Sequence, residues 1–133
     1  MIVLDASAVV RFLLRLPGAS SVEERIGTPG ESRHAPQLMP LEVAQTVRRY
    51  EATGQVEPAR AAQAIGDLVD FSVVYYPHEP LLPTVWALRP NLTAYDAAYV
   101  ALAIALDAPL ATFDARLANS PGHDARVELL TIP

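Results

Sequence analysis

The sequence has no cysteine. That excludes disulfides, thiolate zinc sites and cysteine nucleophiles, and nothing in the chain calls for an oxidising compartment. It has no lysine either: all ten basic residues are arginine. Arginine suits bidentate contacts with phosphate, but a compositional bias that also favours alanine and proline accounts for the same fact. Histidine is scarce, with only His34, His78 and His123. Each sits near Pro or Gly and no pair stands out by spacing, so all three are expected in surface loops rather than as a general acid and base. Basic charge is in deficit, with a formal net charge of -5. This counts against a simple nucleic-acid binder. It does not count against a site built from clustered carboxylates, which inflate the negative total until a metal binds. No uncharged stretch reaches the roughly 18 residues of a membrane span. The opening MIVLDASAVVRFLLRLPG lacks a basic leader and is interrupted by Asp5, Arg11 and Arg15, unlike a signal peptide. The expectation is a cytoplasmic protein with no membrane association.

What the chain does have is apolar content. Hydrophobic residues make up 51% of its 133 residues, enough for one domain, 1–133, with a real core. Met1 to Leu4 is a short apolar run of the kind used as a buried parallel strand. Val9, Val10, Leu13, Leu14 and Leu16 are spaced as a helix from Ser7 to Leu16, closed by Pro17-Gly18. Ser20 to Ile26 suits another short helix. Gly27 to Pro36, rich in turn-forming residues, is expected to be a loop. Pro40 to Thr53 is a helix with Pro40 at its start and Gly54 past its end, and Glu57 to Asp70 is a second. Phe71 to Tyr76 is a strand. Glu79 to Leu88 is helical around Pro83, and Thr93 to Leu106 is a strongly apolar helix. Pro109 to Phe113 is a strand, Asp114 to Asn119 a short helix and Val127 to Ile132 a last strand. Such alternation predicts an α/β domain with a mostly parallel sheet.

Four acids stand out by position. Asp5 follows the first strand and precedes the first helix, where it serves as an N-cap. Glu42 lies in the first turn of its helix, where the helix dipole favours a carboxylate. Asp96 follows Thr93 by three residues, in the pattern of a capping box. The helix behind it is apolar on nearly every face and is therefore expected to be buried, which places Asp96 near the interior. Asp114 ends a strand and opens a helix, again as an N-cap. Each is explained locally. Together they are harder to dismiss, because in a parallel sheet with crossover helices such positions share the carboxyl edge of the strands, where ligands bind at the reversal of strand order. Carboxylates gathered there repel each other, whereas a hard divalent cation such as Mg²⁺ or Mn²⁺ rewards the gathering. One or two such ions activate water and stabilise charge on an attacked phosphate.

Other polar and aromatic residues are less telling. The Ser7 hydroxyl has two readings: a cap for the first helix, or a partner of a metal-bound water or of Asp5. Tyr95 and Tyr99 flank Asp96 and are expected in the core or at its rim rather than as base-stacking groups. Trp86 is expected in the core or at a dimer interface. Asp107 stands at a helix C-terminus, unfavourable for a carboxylate, and is expected on the surface.

The segments Ile2-Val3-Leu4-Asp5-Ala6-Ser7-Ala8, Leu41-Glu42-Val43, Thr93-Ala94-Tyr95-Asp96-Ala97-Ala98-Tyr99-Val100-Ala101-Leu102-Ala103 and Leu110-Ala111-Thr112-Phe113-Asp114-Ala115-Arg116-Leu117, in this order, resemble the PIN-domain proteins. Within that family they resemble the VapC-type ribonuclease toxins of bacterial toxin–antitoxin pairs. The resemblance covers nearly the whole chain. It implies a three-layer α/β/α sandwich with a mostly parallel sheet, and a metal-binding quartet of Asp5, Glu42, Asp96 and Asp114 for Mg²⁺ or Mn²⁺. Ser7 and Thr112 fall at the family's supporting hydroxyl positions. It further implies an RNA substrate, a cognate antitoxin that inserts near the site, and a homodimer. The Gly/Pro-rich stretch from Gly27 to Pro36 and the absence of lysine are not strong family features, and no arginine is assigned to RNA.

Two other readings stand beside the toxin. One is a PIN-type nuclease acting in RNA processing or on DNA. The other is a non-catalytic binding module of the same fold, in which the acids only cap helices.

Overall fold

The hydrophobic stretch Ile2–Leu4 forms the central strand, β1, and all three of its residues are fully buried. In the computed structural model, which describes residues 1–133, four further strands join it: β2 (Arg33–Pro36), β3 (Val74–Tyr76), β4 (Leu110–Thr112) and β5 (Val127–Leu129). The sheet order is β3-β2-β1-β4-β5, and all four pairings are parallel. The chain thus starts in the middle of the sheet, builds one half outward, and returns to build the other. Strand order reverses between β1 and β4, where Val3 pairs with Leu110 and Leu4 with Ala111.

Seven helices supply the crossovers: α1 (Ala6–Leu14), α2 (Ala19–Ile26), α3 (Met39–Ala52), α4 (Pro58–Asp70), α5 (Leu82–Ala87), α6 (Ala94–Leu106) and α7 (Ala115–Ala118). A short 3₁₀ turn, Glu79–Leu81, leads into α5. The arrangement is the α/β domain expected from the alternation and the α/β/α sandwich implied by the resemblance, with the sheet parallel throughout rather than mostly so. Helix α6 is buried at seven consecutive residues, Ala97–Ala103, as its apolar faces require. Alanine at four of its first eight positions lets it lie close to its neighbours in the core. Helix α1 ends at Arg15 in the left-handed region. Gly18 follows with φ of +97° and the Phe113 ring 2.8 Å from where a Cβ would stand, so only glycine fits this turn.

The structure corrects the expectation of a loop over Gly27 to Pro36. Its last four residues are β2, a strand with neighbours on both sides. Arg-His-Ala-Pro is a poor strand sequence by composition. Pairing with β1 and β3 overrides that preference, and Pro36 is tolerated because it ends the strand. His34 is correspondingly buried rather than in a surface loop. Its two ring nitrogens engage Ser32 Oγ and Tyr76 OH, each at 2.7 Å, and burial lowers its pKa. His78 accepts a hydrogen bond from the Leu38 backbone N–H, and His123 bonds to Ser120 and to the Ala125 N–H; all three histidines have structural partners. Trp86 is not in the core either: it is 68% exposed, with the Arg89 guanidinium over its ring. Asp107 is on the surface as expected, paired with Arg126. At the far side, Arg25 joins α2 to β5 by bonds to Glu128 and also holds Glu31. No helix is long and apolar enough to cross a membrane.

The core depends most on β1. Leu4→Ala is expected to lower the free energy of unfolding by about 2–5 kcal/mol, measured by urea denaturation followed by far-UV circular dichroism.

Candidate metal centre

All four acids stand at helix starts. Asp5 is the N-cap of α1 and Asp114 the N-cap of α7, while Glu42 and Asp96 lie in the first turns of α3 and α6. Because β1 ends at Leu4 and β4 at Thr112, Asp5 and Asp114 sit at the carboxyl ends of the two strands that flank the reversal. This is the crevice where ligands bind in open α/β sheets.

Asp5 is the most constrained of the four. It is 7% exposed. Its Oδ1 accepts from Ser7 Oγ at 2.7 Å and from the Ala8 N–H at 3.1 Å, and its Oδ2 accepts from Thr112 Oγ1 at 2.5 Å. Burial raises its pKa, the bonds from Thr112, Ser7 and Ala8 oppose that rise, and the Asp114 charge adds to it. The second reading of Ser7 therefore holds in part: its hydroxyl donates to Asp5, and it accepts from the Phe113 N–H at 3.1 Å. Thr112 is equally placed, donating to Asp5 while accepting from the Asp114 N–H at 2.9 Å. The two hydroxyls tie β1 to the end of β4.

Glu42 is half-buried, and burial raises its pKa. Tyr99 opposes this by donating its hydroxyl to Glu42 Oε1 at 2.5 Å, while the charges of Asp96 and Asp5 push it further up. Asp96 leaves the capping box half-made. Its N–H donates to Thr93 Oγ1 at 3.2 Å, but its carboxylate turns to Arg116 Nη2 at 2.8 Å. Asp114 caps α7 by accepting from the N–H groups of Arg116 and Leu117, and its Oδ2 meets the same Nη2 at 3.2 Å.

The acids thus form one electrostatic group: Asp5 feels Asp114, Glu42 feels Asp96 and Asp5, and Arg116 joins Asp96 to Asp114. As the side chains stand, no three of them are arranged to hold one ion. Their chemistry nonetheless fits a hard divalent cation, since every donor is a carboxylate oxygen, two of the carboxylates are held against the cost of burial, and a guanidinium already occupies the point between two others. Residue-by-residue reading did not find Tyr99 or Arg116 as parts of the site. A signal existed for both: Tyr99 lies three residues after Asp96 on one helix face, and Arg116 lies two after Asp114. Tyr95, by contrast, turns outward at 67% exposed.

Comparison with known proteins identifies the family of this fold. The PIN domain family model matches residues 2–122, and the chain belongs to the PIN-domain family. Its relatives include Ribonuclease VapC12 of Mycobacterium tuberculosis, 37% identical over 130 residues, covering 98% of this chain and 99% of the relative. Ribonuclease VapC1 of the same organism is 40% identical over 129 residues, covering 96% of each. Among solved structures, VapBC2 from Rickettsia felis bound to a DNA fragment from its promoter superposes with a TM-score of 0.73. It does so at 15% identity, over 98% of this chain and 100% of that one, and so bears on the fold alone.

The raised Asp5 pKa gives a test in metal-free protein. The folded state holds the Asp5 proton more tightly than the unfolded chain, so stability falls as pH rises from the ordinary carboxylate range through the raised value, and stays lower above it. Asp5→Asn removes that penalty. With EDTA present, its melting temperature is expected to exceed the parent's at pH 7, and the gap is expected to shrink as pH falls towards about 4, in scanning calorimetry across that range.

Proposed function

We propose that this protein is a metal-dependent endoribonuclease, the toxin of a toxin–antitoxin pair, which hydrolyses RNA phosphodiester bonds. The observation that carries the reading is the coupling of four helix-start acids around the reversal of strand order. Asp5 and Asp114 follow the two strands that flank it, Arg116 joins Asp114 to Asp96, and Glu42 feels the charges of Asp96 and Asp5. The names of the relatives, both ribonucleases at 37% and 40% identity over nearly the whole chain, support RNA as the substrate.

In this reading the four acids hold Mg²⁺ or Mn²⁺. Such a cation supplies an activated water and stabilises charge on the attacked phosphate and the leaving oxygen. The protein's own groups do the positioning. Ser7, Thr112 and the Ala8 N–H fix both oxygens of Asp5 and offset part of the cost of burying its charge. Tyr99 fixes one oxygen of Glu42. Holding the donors on a rigid sheet edge removes reorganisation at the moment of reaction. An antitoxin encoded beside the gene and a second copy of the chain are the partners that accompany this function.

Asp96→Asn and Asp5→Asn are each expected to reduce RNA cleavage at least a hundredfold, on the order of losing one electrostatic element of such a site, with an unchanged far-UV spectrum. Full activity of either variant in Mn²⁺ buffer sinks the proposal. Bound metal stabilises the folded chain in proportion to its affinity, so Mn²⁺ is expected to raise the parent's melting temperature more than that of Asp114→Asn. Equal shifts in the two argue against Asp114 as a ligand.

A further inference from the structure

Arg116 is the one arginine hydrogen-bonded to the acids of the site. A single nitrogen, Nη2, lies 2.8 Å from Asp96 Oδ2 and 3.2 Å from Asp114 Oδ2. It thereby places a positive charge between carboxylates that come from two different helices. Among the other arginines, Arg25 is engaged with Glu31 and Glu128, Arg126 with Asp107, and Arg60 with the Leu13 carbonyl.

Local structure does not explain this placement. Arg116 stands in the single turn of α7, Ala115–Ala118, and chain proximity accounts only for its contact with Asp114, two residues back, not for the shorter one to Asp96 on α6. Nor does the contact hold the fold together. The Arg116 side chain is 64% exposed, and exposed ion pairs add little to stability. The guanidinium is therefore free to leave, and its position is set by the two carboxylates alone.

We infer that Arg116 is a built-in counter-cation that competes with the divalent metal for Asp96 and Asp114 and so sets the protein's metal affinity. The inference rests on the reading of these two acids as metal ligands. In metal-free protein the guanidinium neutralises the pair and keeps their charges from repelling. When the metal enters, its two charges displace the one charge of Arg116, and the freed side chain swings into solvent at the mouth of the site. The affinity that results is weaker than the four carboxylates alone would give, because every binding event first breaks the Arg116 contacts. The sign separates this role from a structural one: a residue that merely shaped the site would weaken metal binding when lost.

Isothermal titration of Mn²⁺ into metal-free protein, without RNA, tests it on the parent, Arg116→Gln, Arg116→Lys and Asp114→Asn, with far-UV spectra confirming that each is folded. Arg116→Gln is expected to bind Mn²⁺ about fivefold more tightly, the order expected when one unit charge at this range is removed in a water-like dielectric. Arg116→Lys, which keeps the charge, is expected to stay near the parent. Asp114→Asn is expected to bind more weakly. If Arg116→Gln binds no more tightly than the parent while Asp114→Asn still loses affinity, the counter-cation role is overturned and the metal site stands. If the parent binds no Mn²⁺ at all, the inference and the metal site fall together.

Discussion

A carboxylate buried at the end of a central strand has to be held by hydrogen bonds or by a cation, and Asp5 imposes that demand on the whole molecule. Left alone, a buried charge costs several kcal/mol or takes up a proton. Three donors answer it, and they come from two parts of the chain: Ser7 and Ala8 just beyond β1, and Thr112 at the end of β4. The pairing of β1 with β4 is what puts Thr112 within reach. The same pairing creates the reversal of strand order and so the crevice itself. Sheet topology and site electrostatics are one constraint seen from two sides.

That constraint explains why some parts of the protein are legible in sequence. Ile2–Leu4 and Leu110–Thr112 are short apolar runs, each followed by an acid that opens a helix, and burial on both faces leaves little else they can be. Helix α6 is apolar over more than one face, which only a buried helix sustains. Strand β2 is different. Arg33-His34-Ala35-Pro36 has neither the β-branched side chains nor the alternation of a strand, and its conformation comes from its neighbours. His34 follows the same rule: its ring is buried because Ser32 and Tyr76 satisfy both nitrogens, a fact that requires β3 to be in place. The four acids could be picked out by their positions at helix starts. Tyr99 and Arg116 are marked only by their spacing from Asp96 and Asp114, because the bonds from Tyr99 to Glu42 and from Arg116 to Asp96 are made across the fold.

The arginines add a second lesson. The chain has ten of them and no lysine, yet several are committed to local partners. Arg25 and Arg126 are spent on carboxylates, while Arg11, Arg33 and Arg89 lie over the rings of Phe113, Phe71 and Trp86. A planar guanidinium suits both kinds of contact, where an ammonium would serve only as a point charge. Basic residues here mostly organise the surface of the protein, and their total says little about what it binds.

The bond from Thr112 to Asp5 spans 107 residues, and Asp114 lies further on still. Closing so long a loop is slow compared with forming any helix in the chain. Domains emerge from the ribosome N-terminal end first, at roughly 5–20 residues per second. A growing chain therefore carries Asp5, Glu42 and Asp96 for some seconds before it possesses Thr112 and Asp114. Until then the crevice lacks one wall and Asp5 lacks its Thr112 partner. A fragment truncated before residue 112 is in the same condition permanently. The topology thus makes the site conditional on length: it is assembled only in chains that extend past Asp114.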